Sequence, residues 1–429
     1  MTKRVCLVSP KPPIIQRARQ LKLDVVCVYT PEEFRTVPVD AVEGETCLVL
    51  RHREDPRAMV EAVRALHAQA PFSAVFTVQE EGVIAAALLN DALGLAGAHP
   101  ETVALLTDKW RMRQRTAEQG VSAVRAAIGT TLADIAEFGA AVGYPLIAKP
   151  VGGSASLGIH KIEDPSEAGR VHAALVELGL DRFLLEEYLE GPEISVDALS
   201  TGGRHVVIAV ADKITGAGFM EYGHSIPAAL DAGLEAEIAR TVGEFLDSVG
   251  LRDGLSHTEM KLTPAGPKVV EGHNRRGGDR INTMTELVYG IDLEGVGLAV
   301  AVGEREPVTE RPAAKLGAAV AFFEAEPGRL LAVEGVEEVR NHPAVVEFHV
   351  QFQVGTVLPP VRWSPDRAGF LVVTAETGEA ASALARSLAA RVRFVTEPVE
   401  DAADDVSRHR DLLTELDQAG YVDTLNAER

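Results

Sequence analysis

Between residues 3 and 95, short β-rich runs (RVCLVS, LDVVCVYT, AVFTV) alternate with helical stretches such as DPRAMVEAVRALHAQA and EGVIAAALLNDALG. A tight turn cannot join two parallel strands, because the chain must return to the same end of the sheet before the next strand begins. This rhythm therefore predicts an α/β unit with a parallel sheet and crossover helices. A dinucleotide site is not expected in it, since SPKPP rather than a GxGxxG loop follows the first strand, and the chain carries no Walker A pattern.

The chain has 429 residues, too many for one core, and about three domains are expected. Its 46% hydrophobic and 24% charged content excludes disordered and fibrous classes. A net charge of -21 argues against nucleic acid or an anionic membrane as the main partner, so any anionic ligand must be held by local basic groups. Cys6, Cys27 and Cys47 lie in apolar runs without CxxC spacing, which predicts buried thiols in a reducing compartment. The start, MTKRVCLVSPKPP, has no apolar stretch long enough for a signal peptide, and no run approaches a membrane span. A cytoplasmic protein is expected.

Residues 99–121, HPETVALLTDKWRMRQRTAEQGV, read as one helix with its own start and stop signals. Residues 145–300 mix strands, a glycine-rich loop and hairpins, and a third, α+β piece begins near 314. The end of the chain is acidic.

SHTEMKL and KVVEGH read as two strands, and the TPAGP between them can continue neither. A turn centred on Ala265 sets Glu259 opposite Glu271 and His257 opposite His273. Directly opposed side chains have Cβ atoms roughly 5 Å apart, where like charges destabilise a sheet. Two readings stay open on this stretch alone. One is a solvated edge hairpin, or a slipped register that separates the pair. The other is a cation site, since magnesium uses one or two carboxylates together with phosphate oxygens and water.

In PLIAKPVGGSASLGIHKI, residues 145–162, an apolar strand ends in Lys149 and a loop of glycines and serines leads to a second strand. Glycine lets backbone N–H groups approach an anion, and the lysine adds a compact positive charge, so the stretch suits phosphates as well as it suits a plain glycine-rich hairpin. In FLLEEYLEGPEISVDAL, residues 183–199, FLLEEYL reads as a strand leaving a core and GPEISVDAL as its return. An extended segment of this kind can offer backbone groups to a purine, and Glu193 could accept bonds from ribose hydroxyls; a surface hairpin of glutamates is the plainer alternative.

Taken in order, TDKWRMRQ, YPLIAKPVGGSASLG, LLEEYLEGPEISVD, FMEYGHSIPA, HTEMKL and EGHNRRGGDRI resemble the ATP-grasp enzymes, and within them the L-amino acid ligases and related carboxylate–amine ligases. The resemblance runs over nearly the whole chain. It implies an α/β (α+β) ATP-grasp fold: a Rossmann-like pre-ATP-grasp unit over 1–100, an ATP-grasp domain over 101–310 with its lid at about 120–190, an α+β lobe over 311–400 and an acidic tail over 401–429.

The same resemblance implies ATP with Mg2+ or Mn2+. Lys109 and Lys149 match the phosphate-contacting lysines, and Gly153, Ser154, Ser156 and Gly158 belong to the phosphate-covering loop. Glu186, Glu187, Tyr188 and Leu189 fall on the adenine hinge, with Glu193 on the ribose glutamate. Glu259 and Glu271 match the metal carboxylates, and Arg275 matches the arginine at the transferred phosphate, so that Arg275, Lys149 and Glu271 form the implied catalytic set. His273 stands where many relatives carry a metal-binding asparagine, with Asn274 beside it; imidazole is the poorer magnesium ligand. Glu187 replaces a lysine of several relatives, and only its backbone is expected to matter. Glu221, His224, Arg275, Gly277, Gly278, Asp279 and Arg280 border the amino acid sites, Arg280 as a carboxylate clamp and Asp279 facing an amine or cation. The implied reaction joins two amino acids, or an amino acid and an amine, through an acyl phosphate, in a homodimer. A carboxylase, a thioester-forming ligase and a non-catalytic nucleotide-binding regulator are the alternatives.

Overall fold

The computed structural model describes residues 2–153, 157–216 and 219–399, so Ser154, Ser156 and the acidic tail lie outside the described residues. The first rhythm of runs forms a four-stranded parallel sheet of β1 (Arg4–Val8), β2 (Asp24–Tyr29), β3 (Thr46–Val49) and β4 (Ala74–Phe76), ordered β3-β2-β1-β4. Val5, Cys6, Leu7 and Val8 are all buried, as a strand covered on both faces requires. Doubly wound sheets open a crevice at the carboxyl ends of their strands where the strand order reverses. Glu80 stands there, just past β4.

A second, antiparallel sheet holds β5 (Ala126–Gly129), β6 (Leu146–Pro150), β7 (His160–Ile162) and β8 (Phe183–Glu187) in the order β5-β8-β6-β7. The helices Leu132–Val142 and Ala168–Glu177 cover it through Ile135, Val171 and Leu175. The glycine-rich loop is the β6–β7 connection, which points Lys149 out of a buried strand.

The largest sheet begins with β9 (Glu193–Thr201), β10 (Arg204–Thr215), β11 (Glu221–Ile226), β12 (Gly254–Thr263), β13 (Gly266–His273) and β14 (Gly317–Phe322). Next come β15 (Gly328–Glu334), β16 (Val345–Val350), β17 (Val357–Leu358), β18 (Gly369–Ala375) and β19 (Arg393–Glu397), which divide between two sheets. β16 and β18 extend the large sheet to eight strands, ordered β13-β12-β9-β10-β11-β14-β18-β16, while β17-β15-β19 form a small sheet of their own. The third piece of the sequence is thus partly an extension of the central sheet, which carries its loops to the edge of the site.

Two local readings need correction. Residues 99–121 form two helices, Pro100–Thr107 and Lys109–Glu118, because Asp108 adopts an extended conformation and its side chain accepts the Arg111 N–H, capping a new helix. FLLEEYL and GPEISVDAL are not a hairpin: β8 belongs to the second sheet and β9 to the large one, so residues 188–192 connect two sheets.

The β12–β13 hairpin pairs Glu259 with Glu271 and His257 with His273. Its turn is centred half a residue earlier than Ala265, since Thr263 pairs with Gly266, and a bulge at Val270 restores the expected register. The helix Ala232–Ser248 packs Phe245 beneath the hairpin, and a Cβ on Gly272 would come within 2.4 Å of its ring. Only glycine fits between Glu271 and His273 there.

No helix among the described residues is long and apolar enough to cross a membrane.

Candidate active site

The break at Asp108 puts Lys109 in the first turn of a helix that faces the second sheet. Its backbone N–H donates to the Val151 carbonyl at 2.9 Å and its Nζ to the Gly153 carbonyl at 2.6 Å. That same Nζ is 3.1 Å from Glu271 Oε2. One helical turn further on, Arg113 shares the helix face with Lys109. Its Nε is 2.5 Å from Glu186 Oε1, and its two Nη atoms donate to the Val269 and Val270 carbonyls at 2.7 and 2.8 Å. Glu186 also holds Lys149 Nζ at 2.7 Å. Burial opposes ionisation of Glu186, but Arg113 and Lys149 outweigh it and bring its carboxyl down to about 2.

These groups wall a cleft of about 870 Å³ between the second sheet and the large one. Lys109, Lys149, Gly153, Glu186, Glu187, Tyr188, Leu189 and Glu193 all line it. Gly158 lies between the lining residues Leu157 and Ile159. The Glu187 carboxylate turns away to accept from Arg125 N and Nε at 2.9 and 2.8 Å, which leaves the cleft to its backbone. Glu193 is held by Lys213 at 2.6 Å and by Lys261 at 3.1 Å.

At the inner end of the cleft the facing glutamates are neutralised by lysines. Lys213 Nζ is 2.8 Å from Glu259 Oε2, and Lys109 serves Glu271. Burial opposes ionisation of both carboxyls, but Lys213 and Lys109 respectively outweigh it and hold them below the usual carboxylate range. In the protein alone, then, ammonium groups offset the repulsion that the hairpin builds in.

Among the described residues no group of three or more His, Cys, Asp or Glu side chains is arranged to hold a metal ion by itself. A hard divalent cation that takes two carboxylates and completes its shell with phosphate oxygens and water needs no third protein ligand, so the Glu259–Glu271 pair fits one. His273 does not suit the same role: its Nε2 is 3.2 Å from Glu271 Oε1 and its Nδ1 is 3.3 Å from Glu80 Oε2, so carboxylates engage both nitrogens. His257, across the ladder, is bound through Nδ1 to Asp197 Oδ1 at 2.7 Å. Burial opposes its protonation, but Asp197 outweighs it and lifts the imidazole to about 9.

A second cavity, of about 610 Å³, adjoins the cleft and shares Lys213, Glu221, Glu259 and Glu271 with it. His224, Arg275, Gly278 and Asp279 complete its polar wall. Ser364 Oγ donates to Glu221 Oε2 at 3.1 Å, and His224 Nε2 is 3.1 Å from Asp279 Oδ2. The expectation that Asp279 faces a free amine or cation fails, because Arg367 grips its two oxygens at 2.9 and 2.5 Å. Arg280 lies outside this cavity: its Nη2 is 2.7 Å from Glu347 Oε1, its guanidinium covers the Phe370 ring, and it lines an outer chamber of about 760 Å³. Gly277 does not line the inner cavity either. A Cβ there would come within 2.8 Å of His257 Nδ1, so glycine allows the loop to pass over the Asp197–His257 pair.

Four site residues were not found from the sequence: Glu80, Arg113, Lys213 and Arg367. Two had a local signal. Arg113 falls four residues after Lys109 on a helix, and Lys213, beside Asp212, ends the apolar run VVIAVA. Glu80, beside Glu81, and Arg367, beside Asp366, are charges in short connections whose side-chain partners lie far away in the chain.

An ATP-grasp domain model matches residues 142–284, an ATP-grasp N-terminal domain model matches 15–97, and the model of L-amino acid ligase C-terminal domain 2 matches 321–397. The fold is that of the ATP-grasp class. Within that class, the chain is similar to the L-amino acid ligases, whose C-terminal domain model it matches. Alanine–anticapsin ligase of Bacillus subtilis is 26% identical over 266 residues, 56% of each chain. Carnosine synthase 1 of Gallus gallus is 28% identical over 374 residues, 77% of this chain and 39% of its own. The chain thus matches about half the length of these relatives. An L-amino acid ligase structure from Bacillus licheniformis superposes with a TM-score of 0.76 at 24% identity, covering 92% of this chain and 99% of that one, and shows the shared fold.

Proposed function

We propose that this protein is an ATP-dependent ligase that forms an amide bond between two amino acids, or between an amino acid and another amine, and releases ADP and phosphate. One observation carries the reading: the cleft lined by Lys109, Lys149 and Glu193 and the polar second cavity meet at Lys213, Glu221, Glu259 and Glu271, where a phosphoryl donor and a substrate carboxylate can approach each other.

A carboxylate oxygen attacks the γ-phosphorus, the bond to the β–γ bridging oxygen breaks, and ADP leaves. An amine nitrogen then attacks the acyl carbon, the bond to phosphate breaks, and the nitrogen gives up a proton. Catalysis of this kind is chiefly positioning and charge neutralisation, so no nucleophilic side chain is needed. In this reading Lys109, Lys149 and the amides of the 152–158 loop take the phosphates, the backbone of 186–189 takes adenine and Glu193 takes the ribose. Glu259 and Glu271 would hold Mg2+ or Mn2+, which supplies neutralisation of phosphate oxygens when bound. Arg275 faces the transferred phosphoryl group, while Glu221, His224 and Gly278 border the amino acids.

The test is mass spectrometry of products from a mixed amino acid pool with ATP and Mg2+, run beside thiol and bicarbonate arms. A dipeptide or amide mass with matching ADP is expected. ATP binding without turnover on every arm would overturn the proposal. Glu271→Gln and Lys149→Ala are each expected to lower turnover by orders of magnitude, and ADP release at the unaltered rate by both would overturn the site assignment. The homodimer and the cytoplasmic location implied by the family resemblance belong to this proposal; sedimentation equilibrium tests the first and cell fractionation the second.

A further inference from the structure

Lys213 lies outside every motif in the chain, yet its ammonium is the meeting point of the site. The side chain is 3% exposed, and Nζ is 2.6 Å from Glu193 Oε1, 2.8 Å from Glu259 Oε2 and 3.4 Å from Glu221 Oε1. Those carboxylates come from β9, β12 and β11, neighbours in the large sheet, and the lysine reaches them from β10. An ammonium has three donors and no acceptor, so three carboxylates satisfy it. Lys261 also reaches Glu193, at 3.1 Å, so Lys213 is the ammonium that serves Glu259.

We propose that Lys213 is a tethered stand-in for the divalent cation: in the nucleotide-free protein its ammonium occupies the cation-binding face of Glu259, and it yields that oxygen only when metal and triphosphate enter together. This rests on reading Glu259 and Glu271 as the metal-holding pair. An ammonium and a dication cannot share one carboxylate oxygen at contact distance without strong repulsion. The triphosphate brings the negative charge that offsets it, so metal loads with nucleotide rather than before it. Glu193 and Glu221 keep the displaced ammonium within the site.

Mn2+ is the probe, followed by loss of the free-ion electron paramagnetic resonance signal in the nucleotide-free full chain. Unaltered protein is expected to bind Mn2+ weakly, and to bind it at least about tenfold more tightly once a non-hydrolysable ATP analogue is added, after the Mn2+ held by the same analogue without protein is subtracted. Lys213→Met and the polar Lys213→Gln are each expected to tighten nucleotide-free Mn2+ binding at least about tenfold. Adding Glu259→Gln to Lys213→Met should abolish that gain. Two results would overturn the proposal: nucleotide-free protein that binds Mn2+ as tightly as the nucleotide complex, or folded Lys213 variants with no gain. If neither variant folds by circular dichroism, the comparison on unaltered protein decides alone. A gain that survives Glu259→Gln would overturn the metal assignment of Glu259, and with it this role for Lys213, while leaving amide formation to its own assay.

Discussion

Glu80, at the carboxyl end of β4, accepts a hydrogen bond at 2.6 Å from Nε of Arg275, 195 residues later in the chain. The same oxygen is 3.3 Å from His273 Nδ1. The parallel N-terminal sheet therefore reaches into the site and aims the arginine assigned to the transferred phosphoryl group. Burial opposes ionisation of Glu80, but Arg275 and His273 outweigh it and keep the carboxyl below its ordinary range. Glu80→Gln keeps the shape and removes the charge. A misplacement of about 1 Å at a reacting centre costs roughly a hundredfold, and a loss of that order in ATP-dependent phosphate release is expected, with the KM for ATP changed little. The pH sign follows from the depressed folded pKa: the contribution of Glu80 to stability is present above 4.5 and is lost as pH falls below it. Glu80→Gln should flatten that acid limb in denaturation followed by circular dichroism.

The parallel sheet was legible because its apolar runs and crossover helices follow simple periods. The β12–β13 hairpin was legible because TPAGP can only turn and the flanking residues alternate, but the Glu259–Glu271 pairing also depends on the bulge that offsets a turn centred half a residue before Ala265. The bulge at Val270 was not, since what holds it is Arg113, which donates to the Val269 and Val270 carbonyls from a helix more than 150 residues earlier. Asp108 reads as part of one continuous helix because start and stop signals flank the whole of 99–121, while its capping bond to Arg111 is a local competition inside that span. Lys213, Glu80 and Arg367 were missed for a shared reason. A buried charge becomes recognisable only with its partners, and theirs lie on other strands and loops.

Arg113 and Glu186 have side chains only 1% and 5% exposed. Breaking a buried pair costs about 3–5 kcal/mol where the remaining charge stands alone; Lys149 still holds Glu186 at 2.7 Å, so the lower end applies. Arg113→Met is expected to lower unfolding free energy by about 3 kcal/mol, with a parallel loss of ATP binding, because Glu186 positions Lys149 and the arginine braces the hairpin. Urea unfolding with and without an ATP analogue checks both. An unchanged midpoint would count against this bracing role.

The three thiols are predicted to be unreactive in the folded protein. Burial pushes Cys6 up to about 12 and raises Cys27 and Cys47 as well. Folding therefore favours the protonated thiol, so this contribution to stability is complete below the unfolded value of 9.0 and declines as pH rises above it. The decline is about 1.4 kcal/mol per pH unit for each fully buried thiol. Iodoacetamide at pH 8 should label the folded chain slowly, with Cys47, the least buried, reacting first, and should label all three in denaturant. Rapid native labelling of Cys6 or Cys27 would contradict the placement of these strands.

Arg367 and Asp279 tie the C-terminal lobe to the substrate cavity. Asp279 and Arg280 both adopt left-handed backbone conformations, φ 47° and 63°, which cost a non-glycine residue roughly 1–2 kcal/mol each. The two bonds from Arg367 to Asp279, reinforced by His224, hold that strained turn in place, and Arg367 is itself stacked with its Cζ 3.5 Å from the Phe322 ring centroid. Burial opposes ionisation of Asp279, but His224 and Arg367 outweigh it and keep the carboxyl well below its usual range. Its contribution is therefore present above 3.8 and lost as pH falls below that value. Arg367→Ala frees the turn and leaves Asp279 with one partner. Because the cavity shares its floor with the nucleotide cleft but Arg367 lines only the outer chamber, the effect should separate the substrates. The KM for one amino acid should rise about thirtyfold or more, in line with the 2–5 kcal/mol typical of breaking a buried charge pair, while the KM for ATP stays within about twofold. Equal movement of both constants would mean that the pair supports the whole site rather than one substrate.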